Sequence, residues 1–91
     1  MALSLLTTTA FERDLRRIKK QGKDLDKLEV IVNLLQAQEP LPRRCHPHAL
    51  RGNWVGHRDC HVEPDWILLY RVTADALILV RAGSHTELFG R

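Results

Sequence analysis

The sequence lacks a disulfide framework, a membrane span and internal repeats, and each absence removes a class of protein. Two cysteines, Cys45 and Cys60, cannot staple a small secreted domain. In a reducing compartment they stand as free thiols. No apolar run reaches the ~18–20 residues that a membrane-spanning helix requires. The opening Met1-Ala2-Leu3-Ser4-Leu5-Leu6 is too short for a secretory leader and has no basic lead. The expectation is a cytosolic protein with no membrane partner. What remains is a chain of 91 residues with 44% apolar content, too much for disorder and ordinary for a globular domain. A chain this short buries roughly two thirds of its unfolded surface, which allows one modest core and no second domain. Net charge is +3, from 14 Lys and Arg against 11 Asp and Glu, a mild bias toward acidic partners. Arginine dominates the bases, and its guanidinium is the better fork for phosphate. There are five histidines, four of them between residues 46 and 61.

Residues 2–6 read as a short strand ended by Thr7-Thr8-Thr9, one of which caps the next element. Phe11, Leu15 and Ile18 recur at helical spacing among charged neighbours, with acids early and bases late as the helix dipole favours. Gln21-Gly22-Lys23 ends that helix. Asp24 caps a second one carrying Leu25, Leu28, Ile31, Val32 and Leu35, stopped by Glu39-Pro40-Leu41-Pro42. So short a turn predicts an antiparallel helical hairpin. Residues 53–62 predict a strand and Glu63-Pro64-Asp65 a turn. Residues 66–72 are nearly continuous apolar, as a central strand buried on both faces requires. Thr73-Ala74-Asp75 turns the chain into a last strand over residues 76–81. Residues 83–91 form a polar tail with Leu88 and Phe89 as anchors. The order is β-α-α-β-β-β, an α+β fold with a helical hairpin laid on a small, mainly antiparallel sheet.

The second half gathers His48, His57, Arg58, Asp59, His61, Glu63, Asp65, Arg81 and His85. In an extended segment His57, Asp59 and His61 share one face, and Arg81 and His85 share a side if the last strand persists through Gly83. Cutting an RNA phosphodiester without a metal needs such a set: a base for the 2′-hydroxyl proton, an acid for the leaving 5′-oxygen and a cation for the phosphate charge. Imidazole suits both proton roles because its unperturbed pKa is near neutrality. Each residue also has a plainer reading. A single histidine in a sheet is more often structural, Asp59 and Asp65 sit where surface ion pairs and caps occur, and Trp54 and Trp66 are natural core residues. Zinc is the competing chemistry, since Cys45-His46-Pro47-His48 and Cys60-His61 offer soft ligands. His57 and His61 have a zinc-type spacing, but neither cysteine has a close partner in sequence.

The stretch His48-Ala49-Leu50-Arg51-Gly52-Asn53-Trp54-Val55-Gly56-His57-Arg58-Asp59-Cys60-His61-Val62-Glu63-Pro64-Asp65-Trp66-Ile67-Leu68-Leu69-Tyr70 strongly resembles YafQ-type toxins of the RelE/ParE superfamily. The ending Arg81-Ala82-Gly83-Ser84-His85-Thr86-Glu87-Leu88-Phe89-Gly90 is similar to theirs, and the first half matches by pattern. The resemblance implies one RelE-like domain over residues 1–91. It implies a bacterial type II toxin, neutralised by a cognate antitoxin, that enters the ribosomal A site and cuts translated mRNA. The implied mechanism is metal-free and cofactor-free attack by the 2′-hydroxyl, leaving a cyclic phosphate and a free 5′-hydroxyl. The family's functional positions fall on His48, His61, Asp65, Trp66, His85 and Phe89. His48, His61, Asp65 and His85 are then catalytic, and Trp66 and Phe89 orient an mRNA base by stacking, worth roughly 1–3 kcal/mol per base. His48-Ala49 stands where relatives often have His-Pro, but the spacing to Leu50 and Gly52 selects His48 over His46. His57 stands where an aromatic is common.

Around this centre, Arg81 is the candidate for the phosphate charge, with a structural ion pair as its plainer role. Arg13, Arg16, Arg17, Lys19, Lys20 and Lys23 are candidates to grip ribosomal RNA in a salt-sensitive way, with solubility as theirs. Two rivals share the fold. A ParE-like inhibitor of a protein target such as gyrase needs no His/Asp cluster, and a degenerate toxin could serve only in antitoxin complexes.

Overall fold

The computed structural model describes residues 2–45, 47–50 and 52–90. The elements run β1 (Ser4–Thr7), α1 (Thr9–Lys20), α2 (Leu25–Gln36), β2 (His48–Ala49), β3 (Arg58–Glu63), β4 (Trp66–Val72), β5 (Ala76–Gly83) and α3 (His85–Phe89). The strands form one sheet in the order β1-β5-β4-β3-β2. β1 pairs parallel with β5 and every other pairing is antiparallel. The α+β, mainly antiparallel expectation is met.

The apolar periodicity decides which face each helix covers. Phe11 and Ile18 of α1 and Leu28, Ile31 and Val32 of α2 close over Cys60, Val62, Trp66, Leu68, Tyr70, Leu77 and Leu79 on one sheet face. On the opposite face Ile67 and Leu69 are covered by Leu88 of α3, with Leu50, Trp54, Val80 and Phe89 around them. β4 lies in the middle of the sheet. Trp66, Ile67, Leu68 and Leu69 are all 0% exposed, which is why that segment is apolar without alternation.

Capping fixes where the helices start. The Thr8 hydroxyl accepts the Phe11 N–H at 2.9 Å and donates to the Val80 carbonyl at 2.7 Å, so the cap also pins α1 to β5. Asp24 caps α2 through the Asp26 N–H at 3.0 Å. Asp14 lies on the buried side of α1, only 2% exposed. It accepts Arg81 Nε at 2.6 Å, Arg81 Nη2 at 3.0 Å, the Ala82 N–H at 3.1 Å and Arg17 Nη1 at 2.8 Å. Burial pushes its carboxyl pKa up, but the donors Arg81, Ala82 N–H and Arg17 together outweigh burial and hold it below the usual carboxylate range. Arg17 continues to the Ala82 carbonyl at 3.0 Å and to Glu87 at 2.8 Å, so the same cluster ties α1 to β5 and α3. Gly83 permits that approach. A Cβ there would sit 2.8 Å from the Arg17 guanidinium and 3.0 Å from Glu87.

Three local expectations are corrected. The strand placed over residues 53–62 begins only at Arg58, because Gly52 and Gly56 take positive φ of 65° and 85° and turn the chain. Gly52–Trp54 forms a single 3-10 turn instead. The last strand runs on to Gly83, and the polar tail folds as α3 behind a capping box. Ser84 Oγ accepts the Glu87 N–H at 3.1 Å and Glu87 accepts the Ser84 N–H at 2.8 Å. The two-residue strand β2 carries no periodic signature and was not foreseen.

Candidate active site

The chemistry collects where β3 turns into β4 and β5 gives way to α3. β4 and β5 pair with Ile67 opposite Gly83, so the Glu63-Pro64-Asp65 turn meets the start of α3. His85 opens that helix, where the first backbone N–H groups lack intrahelical partners. Asp65 takes one of them: its Oδ1 accepts the His85 N–H at 3.0 Å and lies 2.7 Å from the ring Nδ1. The His85 backbone N–H, then its ring, hold the Asp65 carboxyl below its usual range. An ionised carboxylate only accepts, so Nδ1 is the ring nitrogen that donates to it, and in the neutral ring Nε2 carries the lone pair.

The same device appears a second time. β2 pairs with β3 so that His48 faces Asp59. Asp59 Oδ1 accepts the His48 N–H at 3.1 Å and lies 3.4 Å from His48 Nδ1. His61 stands between the two pairs. Its ring centroid is 5.6 Å from that of His85, and it lines a cavity of about 890 Å³ together with His48, Arg44, Lys27, Val62, Glu63 and Pro64. Its Nδ1 is buried with no hydrogen-bond partner among the described residues. Lys27 is paired with Glu63 at 2.8 Å, and Arg44 makes no ion pair among the described residues.

An aromatic row leads away from His85. Phe89, one helical turn on, has its ring centroid 6.4 Å from that of His85. Trp54 meets Phe89 edge-on at 6.5 Å, and His57 meets Trp54 at 5.3 Å. His57 therefore belongs to this row and not to the trio, because β3 starts one residue after it.

The structure thus brings together His48, His61, Asp65 and His85, with Phe89 beside them, and separates the others. Trp66 does not face the site. It is 0% exposed in the core under α1 and α2, with the Lys23 ammonium 5.7 Å from its ring centroid. A base cannot stack on a ring with no open face, so the stacking expectation is corrected to a packing role. Trp66→Phe should cost about 1–2 kcal/mol of stability in chemical denaturation and leave RNA affinity of the folded fraction unchanged. A weakened affinity in a fully folded variant would restore the stacking role. Arg81 is likewise corrected. The strand does persist through Gly83, but the chain then turns into α3 before residue 85, and the Arg81 guanidinium is engaged by Asp14. Arg17 leaves the RNA-gripping set for the same reason. Arg13, Arg16, Lys19 and Lys20 remain exposed on α1, and Arg13, Arg16 and Lys20 flank a shallow cleft.

The zinc reading loses its ligands. Cys45 and Cys60 are both buried in the core, where burial, followed by the adjacent Cys45, pushes the Cys60 thiol well up and away from the thiolate that binds metal. Among the described residues no group of three or more His, Cys, Asp or Glu is placed to hold a metal ion. His46, part of that reading, lies outside the described residues, as does Arg51 of the motif. Arg44 is the site residue that sequence reasoning missed, and Asp59, placed with His61 by parity, was read there only as a surface ion pair or cap. Asp59 carries no signal beyond its parity with His61, because its link to His48 runs through β2.

Fold and site together define a small α+β protein with an acid–base cluster at one end of its sheet. A family model described as the bacterial toxin of type II toxin–antitoxin systems, YafQ, matches residues 3–90. The mRNA interferase toxin YafQ of Escherichia coli K12 is 43% identical over 81 residues, 88% of each chain. Two crystal structures superpose closely. YafQ in the E. coli DinJ–YafQ toxin–antitoxin complex has a TM-score of 0.91 at 38% identity, covering 99% of this chain and 100% of that one. YafQ from E. coli BL21(DE3) has a TM-score of 0.92 at 38% identity, covering 97% and 99%. The chain belongs to the YafQ family of bacterial type II toxins.

Proposed function

We propose that this chain is an mRNA interferase: a cytoplasmic endoribonuclease toxin, acting as one domain over residues 1–91 and held inactive by a cognate antitoxin. The observation that carries the reading is that His61 shares a cavity with His48 and has its ring centroid 5.6 Å from that of His85, which Asp65 holds. One imidazole takes the proton of the 2′-hydroxyl, whose oxygen attacks the adjacent phosphorus. Another delivers a proton to the departing 5′-oxygen, giving a 2′,3′-cyclic phosphate and a 5′-hydroxyl. Phe89 stacks on a base beside the scissile linkage. Arg44, which lines the same cavity and makes no ion pair among the described residues, meets the phosphate charge in place of Arg81. The exposed bases of α1, Arg13, Arg16, Lys19 and Lys20, grip ribosomal RNA at the A site, so binding weakens steeply with salt.

The test is a translating reporter mRNA with the cut ends mapped and their chemistry determined. Cuts appear in translated RNA with cyclic-phosphate and 5′-hydroxyl ends. Intact mRNA with gyrase inhibited would instead support the ParE-like reading, in which the imidazoles have no task.

A further inference from the structure

We propose that Asp59 is a positioning residue for His48, so that the site contains two matched aspartate–histidine pairs and not one. The inference rests on the endoribonuclease reading and gives a role in it to a residue that the sequence left as a surface ion pair or cap.

The two pairs share one construction. In each, a single carboxylate oxygen accepts the backbone N–H of the histidine and lies next to the ring Nδ1 of the same residue. The distances are 3.0 and 2.7 Å for Asp65–His85, and 3.1 and 3.4 Å for Asp59–His48. A histidine held through its own backbone and its ring has its χ angles fixed relative to the main chain. The carboxylate also selects the Nδ1–H tautomer, which turns Nε2 outward as the unprotonated nitrogen. Asp59 is suited to this. Its side chain is 12% exposed, while that of His48 is 62% exposed. β2 is only two residues long, so little besides Asp59 fixes the exposed ring. The 3.4 Å ring contact is longer than the 2.7 Å one of the other pair, but the carboxylate's negative charge at that range still favours a proton on the nitrogen that faces it.

His61 between the pairs contrasts with both. Its Nδ1 has no acceptor among the described residues. The two carboxylate-held imidazoles therefore carry the proton transfers, one on each side of the phosphate, while His61 contacts the phosphate between them.

A double-mutant cycle reads this directly. Single-turnover cleavage of a reporter mRNA on translating ribosomes is measured for the parent, Asp59→Asn, His48→Ala and the double variant. Asp59→Asn should slow the parent about 10- to 100-fold, in kcat and not KM. In the His48→Ala background it should cost less than about twofold, because the group it acts through is gone. An equal cost in both backgrounds, or none in the parent, overturns the proposal. Asp59→Ser replaces Asp59→Asn if the latter does not fold. A second readout uses the isolated chain: long-range ¹H–¹⁵N spectra should show His48 as the Nδ1–H tautomer in the parent and lose that preference in Asp59→Asn. An unchanged tautomer refutes the pairing. If the parent cuts no RNA, the endoribonuclease reading fails and the tautomer alone decides whether Asp59 holds His48.

Discussion

Replacing His85 with alanine slows mRNA cleavage by about 100- to 10,000-fold, the usual contribution of a placed general acid or base, while the protein keeps its cooperative thermal transition. The two halves of this expectation have separate causes. Activity falls because His85, alone among the described histidines, combines a short carboxylate contact, 2.7 Å to Asp65, with ring contact to both His61 and Phe89. Stability holds because the His85 side chain is 47% exposed and the start of α3 is secured by Ser84, not by the ring. Asp65→Asn removes the charge and keeps the shape, so its loss is smaller and measures what the carboxylate adds to the imidazole. The Asp65 carboxyl is held below its usual range, so it stays ionised throughout pH 5–8 and acts on His85 as an anion across that interval. Single-turnover cleavage with unfolding followed in parallel decides the matter. A folded His85→Ala variant retaining more than about a tenth of parental activity removes His85 from the chemistry.

How much of this was legible beforehand depends on the range of the interactions involved. α1 and α2 with their caps Thr8 and Asp24, and the doubly buried strand β4, follow from local spacing and composition. The short helix α3 was hidden because five residues give no periodicity, although the Ser84 and Glu87 pair is a capping signature that could have exposed it. The trio proposed as catalytic, His48, His61 and His85, was legible only through its motif. Residue parity gave part of the answer, placing Asp59 and His61 together, and failed for Arg81 and His85 because a strand became a helix between them. The roles of Arg81, Arg17 and Asp14 were illegible for another reason. A buried ion cluster joining residues 67 positions apart leaves no local trace, and before folding those arginines are indistinguishable from the solvated ones on α1. Trp66 shows the limit of carrying a motif over by position. The residue type matches, but its 0% exposure fixes its task as packing.

Asp14 is the most consequential of the residues that the sequence conceals. Asp14→Ala should lower stability by about 3 kcal/mol, at the low end for breaking a buried ion pair because both arginines it holds keep part of their surface in water. For a domain of this size that is on the order of 10–20 °C in Tm. The loss also leaves the Ala82 N–H without its acceptor and frees the Arg17 contact to Glu87 on α3, so the element carrying His85 loosens. Asp14→Asn tests the charge alone, and pH supplies a second axis. In the unfolded chain Asp14 titrates near ~3.9, and in the fold it remains ionised to lower pH. Its contribution is therefore complete above that ordinary value and disappears as pH falls through the lower folded one. The unfolded state binds more protons in this window, so stability climbs as pH rises. Glu87, held down chiefly by the Ser84 N–H, and Glu63, held down by Lys27, act in the same direction from more exposed positions. Chemical denaturation between pH 3 and 6 should show the parent gaining stability across the range and Asp14→Asn gaining distinctly less. Equal acid slopes in the two proteins, or an Asp14→Ala variant within about 1 kcal/mol of the parent, would show that the apolar face of α1 and the Thr8 cap hold the helix to the sheet without Asp14.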